Sequence, residues 1–528
     1  MTNKPDLRRD IPSGIVVFFV AIPLCLGIAL ASGAPLLSGL IAGIVGGIVV
    51  GSLSSSALGV SGPAAGLAVI VAAAIADLGS FEAFLAAVVL AGIIQMGFGL
   101  ARAGVLAYFF PSAVVKGMLS GIGLLIILKQ IPYAIGWNAN PGDFQFNQID
   151  GGTTLSELWL AITNFAPSAL FVAAVSLAIL ITWDQVLIKR GKIFQLIQGP
   201  LVAVVVGILY QVVTSAVAPE WALTKDQLVK LPEFDGVGDV FGSLVGPDWS
   251  QLGNSSIYLT AFTIAVVASL ETLLCVEATD KLDPVRRVTP TNRELFAQGV
   301  GNTVSGLVGG LPVTQVIVRS SANIQSGATS KVSAIWHGVL LLVAVLFAAP
   351  LMNLVPLAAL AAILLVVGYK LAKPSLFKQI YDQGPGQFVP FMVTIVAILL
   401  TDLLTGVFLG LGVGLLGVLY RAYANSHWVE MRESDDAQSV HHVDMRLGEH
   451  VSFLSRGAIL RQLTDIPDGS AVSIDMSRTH GMDHDVREIL EDFQRSAERR
   501  KLQVDITPPS PKTRLRPVDV LPKAQPQS

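Results

Sequence analysis

The sequence predicts an α-helical polytopic membrane protein of about fourteen transmembrane segments, arranged as two inverted halves and followed by a small α/β domain. Three observations lead there. Of 528 residues, 52% are hydrophobic and only 14% are charged, and a soluble fold this apolar would leave large patches uncovered. Apolar runs of about twenty residues recur from Ile11 to Tyr423, each long enough to cross a hydrocarbon core of about 30 Å. From about Asn425 the chain turns charged, His-containing and Pro-rich, as a soluble appendage would. This divides the chain into a membrane domain at 1–425, a small soluble domain at 430–508 and a Pro-rich disordered tail at 509–528.

The first half of the membrane domain reads as spans near 11–31, 35–53, 60–76, 81–101, 111–131, 166–185 and 196–217. The second reads as spans near 256–279, 292–308, 312–327, 331–349, 355–370, 387–403 and 404–423. Met1–Asp10 is polar, and the apolar run after it lacks a small-residue cleavage pattern, so it is read as the first span and not as a signal peptide. Cys25 and Cys275 both fall in apolar helices, which implies packing and no disulfide framework. The net charge of −3 implies no nucleic-acid partner.

Loop charge sets the orientation. With the N-terminus in the cytosol beside Lys4, Arg8 and Arg9, cytosolic loops should be basic. Lys189, Arg190 and Lys192 follow the sixth span, Lys281, Arg286, Arg287 and Arg293 the eighth, and Lys370, Lys373 and Lys378 the twelfth. The outer loop from Tyr133 to Phe165 carries no Lys or Arg but has Asp143, Asp150 and Glu157. Both termini are therefore expected in the cytosol.

An internal repeat supports the two halves. The run Ala42–Gly51 matches Ala297–Gly306 without a gap at Ala, Val, Gly, Val and Gly. Each run precedes a short apolar stretch opened by a helix breaker, Val60-Ser61-Gly62-Pro63 in one half and Gly309-Gly310-Leu311-Pro312 in the other. Gly-rich membrane helices resemble one another by composition, so either match alone says little. The same order in both halves says more, and an odd number of spans per half makes their topologies opposite. Paired broken helices in inverted halves are the best sequence pointer to a midplane binding site.

The stretches led by Pro63 and Pro312 are expected to be half-helices with proline in the first turn. Their free N–H groups and positive dipole ends then face each other and can cradle an anion. Ser61, Gly62, Ala64, Ala65 and Gly66 would surround one end, and Val313, Thr314 and Gln315 the other. Glu271 lies mid-span with no Lys or Arg between Ala261 and Glu277, so a functional role is its default reading. Arg319, about two turns into the second half-helix, either supplies positive field to the anion or pairs with Glu271. His337 reads as a packing residue.

These residues resemble the sulfate permease (SulP) family of anion transporters. The resemblance is carried by Ala21-Ile22-Pro23-Leu24 with Ala29–Gly33, by Ser61-Gly62-Pro63, and by Gly301-Asn302 through Pro312-Val313-Thr314 to Arg319. It implies a seven-plus-seven inverted repeat in which a core domain moves against a gate domain. It also implies a site between Ser61–Gly66 and Pro312–Gln315, flanked by Pro23, Leu24 and Cys25 and by Glu271, Thr272 and Cys275. Leu24 stands where relatives often carry Gln, Ile28 and Ala64 where some carry aromatics, and Val318 where some carry Ser, so this pocket leans on backbone donors. Hydroxyl residues of a sodium site are absent at Cys275 and Ile317, and Thr272 is the remaining hydroxyl there. Protons are therefore favoured slightly over sodium as the coupling ion.

In the tail, His441–Thr507 reads as strand, strand, helix, strand, helix, strand, with an alternating strand at Ala471–Met476 and an amphipathic helix at Asp483–Arg499. It resembles a reduced STAS domain, read as a dimerisation or stability module. His441, His442, His480 and His484 lack metal-ligand spacing. No nucleophile–base pair, phosphate loop or metal motif supports an enzyme, and no cofactor is expected. The resulting expectation is a secondary active transporter of a small inorganic anion in a bacterial inner membrane, a homodimer with both termini cytoplasmic. The segments Ala268–Leu274 and Asp280–Pro284 resemble a branch associated with carbonic anhydrase and put bicarbonate first. Sulfate or a dicarboxylate comes second, and an uncoupled anion channel of the same fold is the alternative class.

Overall fold

The structure is a computed structural model that describes residues 6–104, 111–137, 154–191, 194, 198–232, 242–401, 403–424, 427–432 and 441–508. The tail at 509–528, and Asp143 and Asp150 of the outer loop, lie outside these residues. The chain forms two compact units, Met1–Val413 and Gly414–Ser528.

The first half of the larger unit runs α1 (Leu7–Ala31), α2 (Leu36–Leu53), β1 (Ser61–Pro63), α3 (Ala65–Leu78), α4 (Phe81–Leu100) and α5 (Ser112–Ala134). It continues through the short α6 (Thr154–Thr163) to α7 (Pro167–Gln185) and α8 (Gly199–Val217). The second half runs α9 (Ser255–Leu282), α10 (Thr291–Leu307), β2 (Val313–Gln315), α11 (Ile317–Gln325), α12 (Val332–Phe347), α13 (Leu357–Leu371), α14 (Pro374–Asp382), α15 (Pro385–Leu400) and α16 (Leu403–Ala424). Among the described residues, eight helices are long and apolar enough to cross a membrane, and four shorter apolar ones accompany them.

Packing relates the halves. Helix α1 packs on α12 and α9 packs on α4; α1 touches α11 and α9 touches α3; α4 packs on α10 and α2 on α12. Exchanging first-half elements for their second-half counterparts maps each contact onto the other. The contacts of β1 with β2 and of α5 with α13 map onto themselves. Small residues permit these approaches: a Cβ added at Gly338 of α12 would lie 2.9 Å from Gly47 Cα. Gly47 sits in a π turn, Gly46–Val50, that interrupts α2, a distortion frequent at functional sites.

The smaller unit has a four-stranded sheet in the order β3-β4-β6-β8, formed by His427–Arg432, His442–Leu447, Ala471–Asp475 and Gln503–Thr507. β3 is antiparallel to β4 and the other pairs are parallel. Parallel neighbours need crossovers, supplied by α17 (Arg456–Asp465) and α18 (His484–Ser496). Val443, Met445, Val472 and Ile474 of the sheet pack with Ile459 and Leu463 of α17 and Val486, Leu490 and Phe493 of α18. The sheet starts at His427, earlier than the expected first strand, and a two-residue parallel pairing of β5 (His450–Val451) with β7 (Gly481–Met482) is an addition.

Candidate functional site

β1 and β2 meet as a three-residue antiparallel ladder, Ser61 opposite Gln315, Gly62 opposite Thr314 and Pro63 opposite Val313. All six residues are buried. The helices that follow start later than their prolines. Pro63 ends β1 and α3 starts at Ala65, whereas Pro312 precedes β2 and α11 starts at Ile317. The expectation that each proline fills a first helical turn is thus corrected. A proline pushes the residue before it toward extended backbone, and a strand from the other half stabilises that backbone here. Arg319 is corrected with it, standing in the first turn of α11 and not two turns along.

The ladder has a side-chain completion. Pro63 has no N–H to offer its register partner Val313. Asn302 of α10 accepts from the Val313 N–H at 2.5 Å and donates to its carbonyl at 3.1 Å. Its amide also donates to Gln95 of α4 at 2.7 Å, and Gln95 donates to Ser269 of α9 at 3.2 Å. On β1, Gln298 Nε2 donates to Ser61 Oγ at 2.8 Å and to Glu294 Oε1 at 3.1 Å. Glu294, fully buried, also accepts from Ser54 Oγ at 2.7 Å and the Ser55 N–H at 3.2 Å.

Helix α9 spans both half-helix ends with residues one turn apart. The backbone of Gly66, in the first turn of α3, lies against the Glu271 carboxylate, and a Cβ at Gly66 would come within 2.7 Å of Oε1. Glu271 Oε2 is buried and has no hydrogen-bond partner. Cys275 faces the backbone of Ile317, the first residue of α11. Glu271, Leu274, Cys275 and Ala278 form a partly exposed stripe, as does Ala65 opposite them, while Thr272 is buried off that stripe. Leu274 also lines a cavity at the C-terminal end of α9, with Glu277, Asp280, Lys281 and Arg286.

Arg319 is fully buried and donates from Nη2 to Cys25 Sγ at 3.2 Å. Its Nε and Nη1 have no partner, and an added Cβ at Gly62 would collide with Nη1. No ion pair between Arg319 and Glu271 occurs among the described residues. Of the remaining sequence candidates, Gln315 turns to Thr279 at 3.0 Å with its Oε1 unpartnered. Leu24 packs into an apolar cluster with Leu341 and Leu360. Pro23 and Ala64 are buried and have no side-chain donor, and Thr314 Oγ1, buried as well, donates to the Gln315 carbonyl at 3.4 Å.

Sequence reasoning passed over Gln95, Gln298, Glu294 and Asn302 as site-shaping groups.

Two half-helix ends meeting at a strand crossing, bridged by one helix carrying a carboxylate, define a helical membrane transporter fold. The match of residues 7–394 to the sulfate permease family places the chain in that family. It is 28% identical over 412 residues to YvdB of Bacillus subtilis, provisionally named a sulfate transporter, covering 78% of this chain and 73% of that one. It is also 28% identical over 436 residues to the bicarbonate transporter BicA of a Picosynechococcus species, covering 79% and 71%. The solved transmembrane domain of a cyanobacterial BicA superposes with a TM-score of 0.62 at 25% identity, over 76% of this chain and 97% of that one. Murine solute carrier 26 family member A9, an anion transporter solved in the inward-facing state, superposes at 0.76 over 96% and 86%. At 16% identity the latter likeness is one of fold alone. The family is one of transporters, so the chain is an anion transporter and not an enzyme.

Proposed function

We propose that the chain is a secondary active transporter of bicarbonate, coupled to protons through Glu271. The observation that carries this is the Glu271 carboxylate seated against Gly66 at the end of α3, close enough that a Cβ there would stand 2.7 Å from Oε1. That helix end is one an incoming anion would use. An ionised Glu271 is a tethered competitor for the same helix end, and a protonated one leaves the end to the substrate. Proton and anion then bind together because each favours the state the other needs. Sodium is the second coupling ion, held by Glu271 with Thr272 and backbone carbonyls.

In this reading both termini are cytoplasmic, about fourteen segments cross the inner membrane as inverted halves, and the strand-crossing core moves against a gate that includes α5. The partly exposed stripe on α9 continues into the cavity at that helix's C-terminal end, which supports access from the cytosol. The smaller unit is a reduced STAS-like module in a homodimer, and carbonic anhydrase is the partner that fits a bicarbonate cargo.

Uptake of labelled bicarbonate, sulfate and fumarate into proteoliposomes, each under an imposed proton or sodium gradient, tests the reading. Bicarbonate uptake should follow the proton gradient, and Glu271→Gln should abolish that dependence. Sulfate or fumarate uptake without bicarbonate uptake would replace the substrate. Flux that ignores both gradients in the wild type would make the protein a channel.

A further inference from the structure

The cavity at the C-terminal end of α9 has a volume of about 330 Å³, and no residue of β1, β2, α3 or α11 lines it. Leu273, Leu274 and Val276 give it an apolar wall, and the loop from α9 to α10 closes another side. That loop is tied down at two points. The Asp283 carboxylate accepts from the Val285 N–H at 2.9 Å, the Arg287 N–H at 3.3 Å and Arg287 Nε at 2.6 Å. The Asp280 carboxylate accepts from the Thr289 N–H and hydroxyl, both at 2.7 Å. Arg286, held between these anchors, has a left-handed φ of 56°. Such backbone is costly for a residue with a Cβ, and it collects at functional positions.

Five charged side chains line the cavity, and four of them are engaged. Asp280 is held as above, Glu277 and Lys281 pair at 2.6 Å, and Arg287 pairs with Asp283 and donates to the Thr329 carbonyl at 3.1 Å. Arg286 has no hydrogen bond or ion pair among the described residues. Beside it in the loop, Val285 is 60% and Val288 85% exposed, and Leu282 at the end of α9 is 50% exposed. Water tolerates such an apolar cluster poorly, whereas a bilayer interface takes up the apolar side chains and pairs the cation with phosphate.

We propose that this cavity seats the headgroup of an anionic phospholipid, with Arg286 as the donor to its phosphodiester. The planar guanidinium matches two phosphate oxygens at once. Leu273, Leu274 and Val288 flank the glycerol, while Val285 and Leu282 stand against acyl chains that remain in the bilayer. The volume is at the small end of ligand pockets, which suits a headgroup and not a whole lipid. A soluble phosphate would leave the three exposed apolar side chains in water, so the lipid is the favoured occupant. Leu274 also belongs to the Glu271 stripe, so the headgroup sits beside the cytosolic path. From the transport reading above, the inference takes only that this end of α9 is cytosolic.

The test is native mass spectrometry of the full chain in detergent, with phosphatidylglycerol or phosphatidylcholine of matched acyl chains added at equal concentration. The wild type should retain phosphatidylglycerol about fivefold better, the worth of one basic residue at an anionic membrane surface. Arg286→Asn removes the cation and suits the left-handed backbone, so it should lose that preference with its melting temperature unchanged. Arg286→Lys keeps the charge and should keep most of the preference. Val288→Asp, at an exposed position, should lower it by setting a carboxylate at the cavity. If Arg286→Asn melts lower than the wild type, Val288→Asp decides in its place. No preference in the wild type, or an undiminished one in these two variants, would overturn the site. Displacement of the lipid by equimolar inorganic phosphate would overturn the lipid as its occupant. No flux is measured, so the outcome is independent of whether the chain carries bicarbonate, sulfate or neither.

Discussion

At the scale of single residues, the decisive one is Gly66. Its missing side chain is what lets the Glu271 carboxylate reach the end of α3, since a Cβ there would stand 2.7 Å from Oε1 and 2.8 Å from Oε2. Gly66→Ala should therefore displace the carboxylate, uncouple uptake from the proton gradient and lower its rate at least tenfold, about 1.4 kcal/mol in barrier. Proteoliposome flux with and without the gradient reads this. Flux and coupling at wild-type levels would contradict it. The placement of Glu271 beside a half-helix end was legible in part, because an ionisable group alone in an apolar span stands out in the sequence. Asn302, Gln298 and Glu294 were not legible as a network. Their partners lie as far as 240 positions away, as with Ser54 and Glu294, and no local period marks such pairings.

Among elements, the strand crossing matters most. Reading each half alone predicts a helix from the proline onward, because breaker-then-apolar is a helix-start signal. The ladder replaces that first turn only because β1 and β2 find each other, which is a fact about both halves at once. Asn302 is the side chain that finishes it. Asn302→Ala leaves the Val313 N–H and carbonyl buried and unpaired, at about 1–3 kcal/mol for each group. The protein should melt lower and transport poorly. Asn302→Asp, which keeps the acceptor for the N–H, should cost less. Thermal unfolding in detergent ranks the two, and equal melting temperatures for both variants and wild type would show that the contact is dispensable. By contrast, the positions of the apolar helices were legible from run length alone, as α4 at Phe81–Leu100 and α5 at Ser112–Ala134 illustrate.

For the whole molecule, the two units have separate cores. The smaller one closes its sheet on α17 and α18 with an apolar cluster drawn only from Val443 to Leu502. A fragment spanning 427–508 should accordingly be soluble and unfold cooperatively by circular dichroism; a non-cooperative melt would mean that it depends on the rest of the chain. The strand and helix order of this unit was readable from alternation and amphipathicity, whereas the strand at His427–Arg432 falls at the edge of the apolar region, where composition gives no sharp boundary. The antiparallel ladder bears on how cargo would travel. Because β1 and β2 come from different halves yet share one ladder, α3 and α11 are yoked like the two arms of a tongs riveted at the grip. An anion held between their ends would keep the same ligands from loading to release. The work of crossing would then fall on surfaces sliding past one another, and temperature and membrane stiffness would set the pace more than the affinity for the ion.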